Sequence, residues 1–162
     1  MIVTNVKYFD EKMPKLEKKP HGDWIDVRAA SISINGEKFD WLIDDEGKYY
    51  VPYFAGQFLL IGLGIAIQCP DRHEAHVAPR SSTFKNYGLI QTNSVGVIDW
   101  SYRGNNDQWF SPMLAMRDGR IEKYDRIAQF RFVEKMPRLS IKECVEFVDS
   151  VDRGGYGSTG VK

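Results

Sequence analysis

Residues 89–104, LIQTNSVGVIDWSYRG, contain two short apolar runs, 89–92 and 96–100, separated by a polar turn. Runs this brief between turn formers are too short for helices and suit strands. The pattern repeats outward along the chain. Segments 24–30, 58–68 and 127–134 are rich in Val, Ile, Phe, Tyr and Trp. Asn35-Gly36, residues 44–47, Cys69-Pro70-Asp71, residues 103–107 and Asp118-Gly119 punctuate them. Many short strands between turn signals predict an all-β sandwich or barrel. Helix signals are sparse: Ser81 and Ser82 fit the cap of one short turn running to Tyr87. Over residues 140–148 two patterns compete. Ser140 and Glu143 fit a capping box, whereas Leu139, Ile141, Val145 and Phe147 alternate as a strand would, and an extended arm is favoured. One domain over residues 1–149, followed by a flexible Gly-rich arm over 150–162, is expected.

Charge narrows the function. The 162 residues carry 22 Lys plus Arg against 22 Asp plus Glu, a formal charge of zero. A nucleic-acid polymer or an anionic membrane surface as partner normally leaves a basic excess. The longest apolar run, 58–67, is ten residues, against roughly 20 for a membrane span. The N-terminal stretch has no apolar core of a signal peptide, and the two cysteines, Cys69 and Cys144, lack metal spacing. A soluble cytoplasmic protein is expected. His73-Glu74-Ala75-His76 reads as strand surface rather than a metal site. Residues 44–47 read as a turn rather than a calcium loop, and the basic stretch 12–19 as a solvated loop.

Four segments carry groups suited to chemistry, and each has a plainer alternative. In residues 153–160 (RGGYGSTG) glycine amides, two hydroxyls and Arg153 can converge on an anion, or form an ordinary Gly-rich tail. Asp99 closes an apolar strand, where a partly desolvated carboxylate at the core's rim suits a general base; a strand-end turn cap fits equally. Residues 78–83 (APRSST) offer an Arg and three hydroxyls to a phosphate, or merely a capped turn. Asp26 interrupts a strand pattern; it suits holding water on a hard cation such as Mg²⁺, or is simply a solvent-facing strand position.

Together these segments resemble the trimeric dUTP nucleotidohydrolases, or dUTPases, in order and spacing. Asp26 falls in the first motif (WIDVRAA), Arg80-Ser81-Ser82 in the second (PRSST) and residues 93–104 in the third (NSVGVIDWSYRG). Residues 124–130 (YDRIAQF) are similar to the fourth and 153–160 to the fifth. The chain is most similar to the Bacillus and phage branch, in which a long aromatic loop follows the third motif, here residues 105–110. The resemblance implies a distorted β jelly roll assembled as a homotrimer with shared sites.

The implied reaction is Mg²⁺-dependent hydrolysis of dUTP to dUMP and pyrophosphate. Asp99 would act as general base on the water attacking the α-phosphorus, and Asp26 would hold waters of the Mg²⁺. Arg80, Ser81, Ser82 and Gln129 would grip the α- and β-phosphates; Arg153, Ser158 and Thr159, with Gly157, the γ-phosphate end. Backbone in a hairpin around Asn93, Gly96, Val97 and Ile98 would read uracil, and Tyr102 would pack under the deoxyribose. Either Phe110 or Tyr156 would be the aromatic lid on the base. The sequence departs from the family pattern in a shortened fifth motif with Tyr156 in place of Phe, in Trp100-Ser101 for the usual Ser-Asp pair, and in Tyr124 for a Gly. Two alternatives stand beside this reading: a dCTP deaminase of similar fold, which lacks the Tyr102-Arg103-Gly104 turn and the Gly-rich tail, and a nucleotide-switched module with a regulatory protein partner.

Overall fold

Glycine and asparagine in the left-handed region cut the apolar sequence into strands. Gly64 at φ +66° breaks the run 58–67 in two, and Asn35 (φ +49°) with Gly36 (φ +92°) makes the tight turn of a hairpin. The computed structural model describes residues 3–148. In chain order the strands are β1 (Asn5–Tyr8), β2 (Ile25–Arg28), β3 (Ser31–Ile34), β4 (Glu37–Phe39), β5 (Leu42–Ile43), β6 (Tyr49–Tyr53) and β7 (Phe58–Gly62). They continue with β8 (Ile65–Gln68), β9 (His73–Pro79), β10 (Leu89–Gln91), β11 (Gly96–Ile98), β12 (Phe110–Ala115), β13 (Gly119–Glu122) and β14 (Arg126–Glu134). A single five-residue helix, α1 (Thr83–Tyr87), lies between β9 and β10.

The two larger sheets are ordered β10-β12-β7-β3-β4 and β11-β9-β14-β2, and their pairings are antiparallel. Two smaller, separate sheets are ordered β13-β6-β5 and β1-β8. Alternate residues of both large sheets meet in one core: Ile32, Leu59, Ile61 and Met113 from the first, and Val27, Ala75, Val77 and Phe130 from the second. Trp109 stands edge-on to Phe130, ring centres 5.2 Å apart at 88°. The result is the expected distorted jelly roll. Residues 135–148 form neither helix nor strand, which settles the competing patterns over 140–148 in favour of an irregular arm.

Two expectations change here. Residues 93–98 are not the tip of a paired hairpin, because β10 pairs with β12 while β11 pairs with β9. The turn instead crosses between the two large sheets. Phe110 does not sit in a loop but opens β12, opposite Gly62 of β7, while its neighbour Trp109 belongs to the core.

Candidate active site

Strand register builds the first half of the site. Gln129 on β14 pairs with Asp26 of β2 on one side and with Ala78 of β9 on the other. Directly paired residues project to the same face, so Asp26 and Gln129 stand side by side. β9 ends at Pro79, and Arg80 turns back onto the row. Its Nε donates to Asp26 Oδ1 at 2.7 Å, and Arg126 Nη1 donates to Oδ2 at 3.1 Å. Gln129 Nε2 donates to the Pro79 carbonyl at 3.1 Å, which ties the row to the exit of β9. Asp26 is therefore neither free nor merely solvent-facing: it is a half-buried carboxylate shared by two guanidiniums.

The short helix follows at once, but Ser82 occupies its cap position without a side-chain capping bond. Thr83 does the fastening. Its hydroxyl accepts from the Arg80 N–H and donates to the Ile127 carbonyl, both at 3.0 Å. With Thr83 buried and bonded, Ser81 is left beside Arg80 in the wall of a cleft of about 470 Å³, and Ser82 follows it in the chain. That cleft is also lined by Phe84, Ile90, Gln91 and Ser94. Second-motif and third-motif residues of one chain thus share a wall.

Asp99 lies elsewhere. It follows β11, one edge of the sheet whose other edge is β2, and Ile98 is level with Ala75 rather than Ala78. Three strand spacings and about four residues along β9 separate it from Asp26, roughly 14 Å across and 13 Å along the sheet. The expected partial desolvation is not found, because Asp99 is exposed. Its own turn holds it: Ser101 Oγ donates at 2.6 Å and Ser101 N–H at 2.8 Å to Oδ1. The Ser101 hydroxyl first, then its amide, with a smaller contribution from the charge of Lys135, keeps the carboxyl below the usual carboxylate range. Next to it, the Trp100 ring contacts both Arg103 at 4.6 Å and Lys135 at 5.1 Å from the ring centre, which braces this turn.

Tyr102 is partly exposed and donates to the Gln108 carbonyl at 3.1 Å. Gly96 sits so close to Val77 and Asn93 that a Cβ there would lie 3.4 Å from each. Val97 faces outward, Ile98 is half-buried, and Phe110 is 40% exposed. Phe110 belongs to the other large sheet, away from the row of Asp26 and Gln129. Arg153, Tyr156, Gly157, Ser158 and Thr159 lie outside the described residues.

Three contributors carry weak sequence signals. Arg126 stands within YDRIAQF and was legible as a charge beside the row. Ser101, two residues after Asp99, carries the signal of a side-chain turn. Gln91 is a polar residue in an apolar strand, and only its burial gives it meaning. Among the described residues no three His, Cys, Asp or Glu side chains converge as a metal cage. Asp26, a lone carboxylate beside cations, suits a hard cation whose inner ligands come largely from a phosphorylated ligand, with water between metal and protein.

A β sandwich that gathers a carboxylate, two guanidiniums, an amide and two hydroxyls across β2, β14 and the exit of β9 suits a phosphorylated small molecule. A dUTPase family model matches residues 47–160, and the chain belongs to the dUTPase family. It is 47% identical over 158 residues to the SPbeta prophage-derived deoxyuridine 5'-triphosphate nucleotidohydrolase YosS of Bacillus subtilis, covering 97% of each chain. Its fold is similar to a mutant of Staphylococcus bacteriophage 80alpha dUTPase with dUpNHpp, at TM-score 0.71 and 18% identity over 98% of this chain and 99% of that one. It is also similar to a mutant dUTPase from phage phi11 of S. aureus, described with a structural Mg(II) ion, at TM-score 0.67 and 15% identity over 91% and 99%.

Proposed function

We propose that this chain hydrolyses dUTP to dUMP and pyrophosphate, acting in the cytoplasm to keep uracil out of DNA and to supply dUMP for dTMP synthesis. The observation that carries the reading is the row of Asp26, Arg80 and Gln129, at positions matching the family's phosphate-binding motifs. Asp99 takes a proton from water as the water oxygen bonds to the α-phosphorus. The bond from that phosphorus to its bridging oxygen breaks, and pyrophosphate leaves with the electron pair. Arg80, Ser81, Ser82 and Gln129 hold the α- and β-phosphates, and Arg153, Ser158 and Thr159 of the arm hold the γ-phosphate. Mg²⁺, when bound, would supply neutralisation of triphosphate charge, and Asp26 would hold it through water. Catalysis here is positioning and charge neutralisation rather than covalent chemistry.

Backbone of residues 93–98 reads uracil. A close main-chain slot rejects a 5-methyl group by contact and a 4-amino group by mismatched donors. Tyr102 lies under the deoxyribose, and Phe110 or Tyr156 closes over the base. The working form is a homotrimer with shared sites. The separation of Asp99 from Asp26 in one chain supports it, because a base that far from the phosphates must serve a neighbouring chain. The apolar side chains of Leu139, Ile141 and Val145, highly exposed in one chain, support it as well.

The test is direct. Purified protein with Mg²⁺ is given each dNTP separately, and pyrophosphate and ammonia are followed. Pyrophosphate from dUTP alone is expected; absence of dUTP turnover would sink the enzymatic reading, and ammonia from dCTP would replace it with deamination.

A further inference from the structure

One buried amide links the turn that carries the base-reading backbone to both large sheets. Gln91 is 5% exposed and Ser111 fully buried. Gln91 Nε2 donates to the Val77 carbonyl at 3.0 Å and to the Ser94 carbonyl at 3.3 Å, and its Oε1 accepts from Ser111 Oγ at 3.2 Å. The Gln91 carbonyl also accepts from the Ser94 N–H at 3.3 Å. Val77 lies on β9 and Ser111 on β12, so a single side chain ties both large sheets to the turn between them. Ser94 is itself held in the left-handed region at φ +57°.

Packing alone does not call for these groups. An apolar side chain of equal length would fill the space without the cost of burying an amide and a hydroxyl. What a satisfied buried network adds is one fixed arrangement, since any other leaves its members unpaired. A main-chain slot that separates uracil from cytosine and thymine needs its donors and acceptors placed to within a fraction of an ångström. The Thr92 N–H donates to the Pro112 carbonyl at 3.0 Å, but β10 and β11 do not pair with each other, so the clamp supplies the anchor for the rest of the turn.

We propose that Gln91, with Ser111, is a positioning residue that fixes the turn over residues 92–95 and thereby sets discrimination among pyrimidine bases. The role in discrimination rests on the functional reading above; the fixing of the turn does not. Gln91→Met keeps length and unbranched shape and removes the amide, and Ser111→Ala removes one bond of the clamp. Ile121→Val, at the buried position of β13, is a control for general loosening of the core.

For each full-length variant, kcat/KM is measured with dUTP, dCTP and dTTP, together with thermal stability and amide hydrogen exchange over residues 92–97. Gln91→Met is expected to lower the preference for dUTP about tenfold or more, chiefly through KM. Ser111→Ala should shift it less in the same direction, and Ile121→Val should lower Tm without moving it. A preference unchanged in Gln91→Met, or lowered equally by Ile121→Val, overturns the assignment to specificity. If the wild-type protein turns over no dUTP, the functional reading fails and the clamp is judged on exchange alone. Faster exchange over 92–97 in Gln91→Met but not in Ile121→Val supports it, and equal exchange in the two overturns it.

Discussion

Asp99, the proposed base, is kept ionised by the residue two positions on, not by burial. The Ser101 hydroxyl and amide both favour the charged carboxylate and keep it below the ordinary value of 3.8. The sign follows: a base with a lowered pKa stays ionised through neutral pH and is lost only as pH falls below the usual carboxylate range. Ser101→Ala is therefore expected to move the acid limb of the kcat/KM profile upward, towards 3.8, while the remaining amide bond keeps it from going the whole way. An unmoved limb would show that Ser101 does not tune the base. Asp99→Asn removes the proton acceptor while keeping the shape. Its kcat should fall about a hundred- to ten-thousandfold with nucleotide affinity retained, as read by single-turnover kinetics and calorimetry. A near-normal kcat would remove Asp99 from the role.

At the scale of elements, the turn from β13 into β14 shows how this chain replaces a glycine. Tyr124 adopts φ +67°, a left-handed conformation that costs a non-glycine residue about 1–2 kcal/mol. Its hydroxyl donates to Asp10, its N–H donates to the Ala29 carbonyl at 2.8 Å, and Lys123 lies 4.9 Å from its ring. Lys123 also pairs with Asp10 at 3.1 Å. The segment before β2 is thereby fastened to the turn that leads into Gln129. Tyr124→Phe keeps the strain and loses the hydroxyl bond, so Tm should drop, by about 2–4 °C for each kcal/mol lost in a domain of this size. Adding Asp10→Asn should cost little more if the two share one interaction. Above all, the Tyr124 bond draws the Asp10 carboxyl down to about 2 from 3.8. Its stabilisation is complete above 3.8 and is lost as pH falls through about 2. The Tm difference between wild type and Asp10→Asn should hold from neutral pH to about 4 and close towards pH 2; a difference constant over that range would refute the linkage.

For the whole molecule, the decisive fact is that one sheet carries Asp26 and Asp99 on opposite edges. On the proposed reading, in which both act on one nucleotide, a second chain supplies one of them. Inactive Asp99→Asn and Arg80→Ala subunits, unfolded and refolded as a mixture, should regain turnover. In random assembly of equal amounts about a quarter of shared sites receive both intact residues. A mixture as inactive as its components would place both groups within one chain, and sedimentation velocity of the wild-type protein reports the number of chains directly.

The sequence by itself determined the class of fold, the family and the residues that carry charge. Alternation, β-branched and aromatic runs and turn formers are local signals, and five ordered motifs are read along the chain without knowing where it folds. Asn35-Gly36 is a hairpin turn by its own backbone preferences, wherever the strands go. Tertiary structure alone decided which residues become neighbours. Asp26 meets Arg80 and Arg126 through the register of β2, β9 and β14, and Gln91 reaches Val77 and Ser111 only because β9 and β12 approach from either side. Asp99, expected at the rim of the core, stands in the open, since burial depends on what packs above a strand's end and not on the strand's own sequence. Those contacts join residues far apart along the chain, and their energies depend on distance and desolvation that only the folded sheets fix.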